Sequence, residues 1–168
     1  NEEIVNAVTH GIGVLLSITA LVFLIISAKQ NGSVWHVVTF SIYGGSMLIL
    51  YLSSTLVHSF PEGKVKDLFE IFDHSAIYLF IAGTYTPFCL CVLPLKIGWW
   101  IFGFVWGCAV LGILLNALDM KKFKKISMVL YLVMGWCIII TFKSLWDNMN
   151  HFGILLLLLG GVIYTIGA

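Results

Sequence analysis

Glu3, Asn6, His10, Ser54, His58, Asp73 and His74 are the side chains of this sequence with the means to move a proton, hold a metal or polarise a carbonyl. They stand in an otherwise apolar chain, where ionisable groups are costly, and their convergence at one place points to function. Ser54 and His58 are four residues apart, so they share one helical face. Glu3, Asn6 and His10 recur at three and four, again a single face. Asp73 directly precedes His74. A neutral imidazole is a common metal ligand, and a neighbouring carboxylate orients the ring or activates a bound water. The pattern therefore suits a metal site or an acid–base site. Plainer roles stay open at this point. His58 can be an interfacial hydrogen bonder, Glu3 a charge complementing a helix dipole, and Ser54 a donor to its own preceding carbonyl.

The elements that must position these groups are apolar helices. The chain is 60% hydrophobic and 10% charged, with mean hydropathy +1.03, against about 25% charged residues in a soluble domain. Six segments are expected to span a membrane, near 11–28, 35–59, 71–94, 97–118, 126–146 and 151–168. Each approaches the ~20 apolar residues a spanning helix needs. Continuous rather than alternating apolar runs favour helices over a barrel. No linker, low-complexity tract or repeat divides residues 1–168, which read as a single domain. The net charge of +1 gives no reason to expect nucleic-acid binding.

All nine basic residues are lysine. With the N-terminus cytoplasmic, Lys64, Lys66, Lys121, Lys122, Lys124 and Lys125 fall on inner loops, and Lys29, Lys96 and Lys143 on outer ones. This satisfies the positive-inside rule. Glu3, Asn6 and His10 then precede or open the first helix on the inside. Ser54 and His58 end the second there, and Asp73 and His74 open the third, where a helix dipole favours a carboxylate. His36 and His151 belong to the outer side as interfacial hydrogen bonders. The lysine cluster 121–125 sets topology and touches lipid headgroups.

Weaker features concern packing. Cys89, Cys91, Cys108 and Cys137 read as buried apolar thiols rather than disulfides or a metal pair. Gly103 and Gly107 are spaced for close helix approach within the chain. Trp35, Trp99, Trp100 and Trp146 mark the interfaces. Pro87 is expected to kink the third helix, and Asn116 to hydrogen-bond between helices.

Four stretches carry a family resemblance: Glu2–Gly11 (EEIVNAVTHG), Ser53–Phe60 (SSTLVHSF), Phe72–Tyr78 (FDHSAIY) and Ile81–Phe88 (IAGTYTPF). In order and spacing they resemble the signature blocks of the hemolysin III family, a relative of the progestin and adiponectin receptors and, more distantly, of alkaline ceramidases. The resemblance implies an all-α, multi-pass transmembrane bundle of seven helices, six of them within 1–168, in the cell membrane. It also implies a zinc site towards the cytoplasm. His58 would be a zinc ligand, Asp73 would hold the zinc-bound water, and Ser54 would assist it. Glu3, Asn6, His10 and His74 would support them. The family's remaining ligands come from a His-x-x-x-His motif on a seventh helix. Residues 1–168 contain none, so they are expected to be truncated before that helix and to bind zinc weakly or not at all. The implied activity is zinc-dependent hydrolysis of a lipid-like amide or ester, with membrane lipids as partners. A pore-forming cytolysin, and a receptor or membrane-homeostasis regulator with a structural metal, are the alternatives. The oligomeric state and the substrate are not legible.

Overall fold

The structure is a computed structural model that describes residues 2–167. Among them every regular element is helical: α1 (Glu2–Asn31), α2 (Val34–Ser59), α3 (Lys64–Pro87), α4 (Leu95–Trp136), α5 (Phe142–Asn148) and α6 (His151–Gly167). Four stretches are long and apolar enough to cross a membrane, namely Glu2–Asn31, Val34–Ser59, Lys64–Val92 and Leu95–Asn148. The protein is thus an all-α membrane bundle. Its outward faces carry large apolar side chains such as Leu15, Phe23, Ile140 and Leu155. In lipid such faces carry no hydrophobic penalty, and helices satisfy their own backbone groups.

Short polar breaks turn the chain. Between α1 and α2, the Ser33 N–H donates to His36 Nδ1 at 3.2 Å, covering one orphan donor at the α2 N-terminus. Between α2 and α3, Phe60 leaves the helix with Pro61 after it, and Gly63 adopts φ 150°. That conformation is open essentially to glycine alone. The sharp Pro61–Gly63 corner sets α3 antiparallel beside α2.

Leu95–Asn148 holds 54 residues. At 1.5 Å per residue this is about 80 Å of helix, far more than the ~30 Å hydrocarbon core. The run folds back on itself. Within α4, Asp119 breaks the helical backbone, with φ −164° and ψ 87°. Beyond it the Ser127 hydroxyl donates to Asn116 Oδ1 at 3.0 Å, although eleven residues of straight helix would separate the two by about 16 Å. The two arms of α4 are therefore a hairpin, which corresponds to the expected fourth and fifth segments. The expected inner loop over the lysine cluster is a correction. Lys121–Lys125 are helical, and within α4 only Asp119 breaks the helix, its Oδ1 accepting from the Lys122 N–H at 3.0 Å.

The core lies between α3 and this hairpin. Tyr78, Ala82, Tyr85, Cys89, Val105, Ala109 and Met134 are its buried centre. Gly112 lies so close under the Tyr78 ring that a Cβ would collide with it. The Tyr85 hydroxyl donates to the Gly135 carbonyl at 2.8 Å and accepts from the Ile138 N–H at 3.0 Å. It thereby serves the backbone where α4 gives way to a 3-10 turn at Cys137–Thr141.

The irregularity at Pro87 takes the form of a π-turn over Phe88–Val92, closed by the Leu93 N–H donating to the Phe88 carbonyl at 2.9 Å. Asn116 bonds across the hairpin as expected. The four cysteines are free thiols. Gly103 and Gly107 depart from the packing expectation, since both are exposed and no atom lies within 4 Å of a Cβ built on either.

Candidate functional site

Three helices meet where α1 begins, α2 ends and α3 begins. α1 packs on α2 and α2 on α3, so the α1 face carrying Glu3 and His10 meets the α2 face carrying Ser54 and His58. His58 Nδ1 donates to Glu3 Oε2 at 2.7 Å. Two turns further along α1, His10 Nδ1 lies 2.6 Å from the buried Ser54 hydroxyl. The His10 and His58 rings stand edge to face with centroids 5.6 Å apart. From α3, half-buried Asp73 faces this group, its carboxylate sensing His74, Ser54, His58 and His10 without a hydrogen bond to any of them among the described residues.

The helix starts agree with the expectation that Glu3 opens α1 and correct the one for α3. α1 begins at Glu2 and α3 at Lys64. Glu3, Asn6 and His10 therefore lie within α1, and Asp73 and His74 lie well inside α3 rather than opening it. A helix dipole acts mainly over the first turn, so it does not reach Asp73. The environment of that carboxylate is set first by its burial, then by His74 beside it on α3 and by Ser54, His58 and His10 across the helix interface.

The site residues divide by what they touch. Glu3, His10, Ser54, His58 and Asp73 come together. His74 Nδ1 donates to the Glu70 carbonyl at 2.9 Å, and its own carbonyl accepts from the Tyr131 hydroxyl at 2.7 Å, tying α3 to the hairpin. Asn6 contributes its backbone carbonyl, which accepts from the Thr9 hydroxyl at 3.1 Å. Sequence reasoning assigned Lys66 only to a loop. It is buried in the first turn of α3, and its Nζ donates to Glu3 Oε1 at 2.9 Å and Glu62 Oε1 at 2.8 Å. The one cue in the sequence was Glu62 four residues before it, the spacing of an ion pair on a helix.

Hydrogen-bond direction fixes one tautomer. A carboxylate only accepts, so His58 Nδ1 carries the proton, and in the neutral ring Nε2 presents the lone pair. Metal-binding histidines commonly show this carboxylate–imidazole arrangement. His58 thus fits a ligand role. The set as a whole does not fit a zinc ion, because catalytic zinc takes three protein ligands. Among the described residues no group of three His, Cys, Asp or Glu side chains is placed to hold a metal. A groove of about 710 Å³ lies elsewhere, between α2, α3, α4 and α6, with Tyr43, Thr84, Tyr85, Trp136 and Tyr164 in its wall. None of the seven expected site residues lines it.

Apolar spanning helices around a polar cluster from three of them define a polytopic membrane protein with a side-chain site at one end of its bundle. The profile of the family described as "Haemolysin-III related" matches residues 1–168, and the chain belongs to that family. "Hemolysin-3 homolog" of Bacillus subtilis (strain 168) is 54% identical over 166 residues, covering 99% of this chain and 78% of the relative. "Hemolysin-3" of Bacillus cereus is 50% identical over 167 residues, covering 99% and 76%. The human "Monocyte to macrophage differentiation factor" is 29% identical over 177 residues, covering 99% and 69%. No solved structure matches the chain.

Proposed function

We propose that this hemolysin III family protein is a hydrolase of a lipid-like amide or ester, working at the cytoplasmic end of its bundle in the cell membrane. The observation that carries the reading is the pair of side-chain bonds joining α1 to α2, His10 to Ser54 and Glu3 to His58, with the Asp73 carboxylate of α3 facing them. Polar groups that bond one another across helices, at the rim of an apolar bundle, are what hydrolysis of a membrane-borne substrate needs.

The roles follow from the atoms. Asp73 accepts a proton from the water that attacks the carbonyl carbon and returns it to the departing amine or alkoxide as the carbon–heteroatom bond breaks. The Ser54 hydroxyl donates to the oxygen on which charge develops, and His10 orients that hydroxyl. His58, held through Nδ1, offers the Nε2 lone pair. A zinc ion bound there would supply Lewis acidity and lower the pKa of its water, with His58 as one ligand. It would need more donors than the described residues bring together. Membrane lipids would supply the substrate, reaching the site from the bilayer.

The test is turnover of acyl amides and esters by purified protein in lipid bilayers, with the Asp73→Asn variant alongside. Release of fatty acid by the unmodified protein and its loss in the variant are expected. A folded protein that cleaves no acyl lipid would return the reading to a receptor or membrane regulator. Mutation-sensitive single-channel currents would return it to the pore-former that the relatives' name "Hemolysin-3" suggests.

A further inference from the structure

Lys66 is the residue of this region without an assigned purpose. It is buried at 6% exposure. An ammonium taken out of water is costly unless it is paired and hydrogen-bonded. Here two carboxylates serve it, Glu62 one helical turn back at 2.8 Å and Glu3 from α1 at 2.9 Å. Glu3 is itself more than half exposed. A carboxylate in that position bonded only to a ring would exchange rotamers and solvent partners freely, since exposed pairs hold geometry weakly. The two Glu3 oxygens are divided instead, Oε1 to Lys66 and Oε2 to His58. Burial keeps the ammonium from following solvent, and so it fixes Oε1. With its Cα carried by α1 and Oε1 held by Lys66, the carboxylate has little freedom left to turn Oε2 away from His58.

We propose that Lys66 is a positioning residue that acts through Glu3 to lock the His58 ring in its Nδ1–H tautomer and keep Nε2 as the free lone pair. The chain Glu62–Lys66–Glu3–His58 joins α3, α1 and α2, so the ring is oriented by all three helices of the site. The inference concerns the site proposed above. It is read by spectroscopy rather than turnover, so its failure and that of the hydrolase reading are told apart.

The experiment is nuclear magnetic resonance of the full chain in lipid bilayers, with isotope-labelled histidine. It is run at about pH 9, above the ordinary imidazole pKa of about 6.5. The unmodified protein should show His58 as the Nδ1–H form. Lys66→Met should bring in the Nε2–H form as a second signal, and Lys66→Arg should restore the single one. A native Nε2–H tautomer, an unchanged signal in K66M, or a K66R spectrum like that of K66M would each overturn the proposal. If K66M does not fold, the unmodified protein still decides. A dipolar contact between labelled Lys66 Nζ and the Glu3 carboxylate carbon is expected, and its absence would sink the assignment.

Discussion

The cluster at the start of α1 and the seam between α3 and the α4 hairpin both hold polar side chains that cross between helices, but they use them differently. In the seam the Tyr85 and Tyr131 hydroxyls bond backbone groups at Gly135, Ile138 and His74. At Gly135 and Ile138 they serve backbone groups beside a 3-10 turn, and at His74 they tie a helical carbonyl to the hairpin. In the cluster, side chains bond side chains, and His58 retains an unused nitrogen. Polar groups that close backbone gaps build a fold. Polar groups that hold one another in place and keep a lone pair free are what the proposed hydrolysis would need.

Substitutions can break this contrast or sharpen it. The largest effect is expected at Asp73. Asp73→Asn should lower acyl-lipid turnover by about 10²–10⁴-fold, the usual reach of a general base, while the thermal midpoint in micelles stays close to that of the parent. A large loss of stability would put Asp73 on the structural side. Gly98→Ala should act in the opposite sense. Its Cβ would meet the Cys89 carbonyl oxygen, a backbone atom with little freedom to give. A loss of about 3 kcal/mol in unfolding free energy is expected, with turnover per folded molecule retained.

Tyr85→Phe comes next. It would strip a donor from the Gly135 carbonyl and an acceptor from the Ile138 N–H. Leaving buried backbone groups unsatisfied costs about 2 kcal/mol, which denaturant unfolding would detect. No change would mean that the seam does not depend on its hydroxyls. The smallest effect is expected at the hairpin tip. Asp119→Ala removes the acceptor for the Lys122 N–H and should cost about 1 kcal/mol, as helix-cap losses do. Calorimetry can compare it with Tyr85→Phe, and a larger loss at Asp119 would show that the tip is critical to the fold.

Much of this fold was legible because its signals are local. Long uncharged runs set the helices, and Pro61–Gly63 and Asp119 turn them. The Ser54–His58 spacing placed two site groups on one face. Three things were not legible. Helix starts slid outward, because Glu2–His10 and Lys64–Phe72 are polar enough to read as flanks yet continue the helices past the apolar runs. The lysines 121–125 read as a loop, since charge density does not distinguish a solvated helix from a coil. Lys66 read as a topology signal, because a lysine's burial depends on which carboxylates another helix brings to it.

By itself the sequence determined the solvent, the family and the list of reactive side chains, since hydropathy, residue order and side-chain chemistry are properties of the chain. Only the tertiary structure decided that Glu3 takes both His58 and Lys66, that Ser54 meets His10, and that the His74 carbonyl takes the Tyr131 hydroxyl. Those pairings depend on the rotation and depth at which α1, α2 and α3 pack, which large apolar faces fix jointly and no single segment encodes.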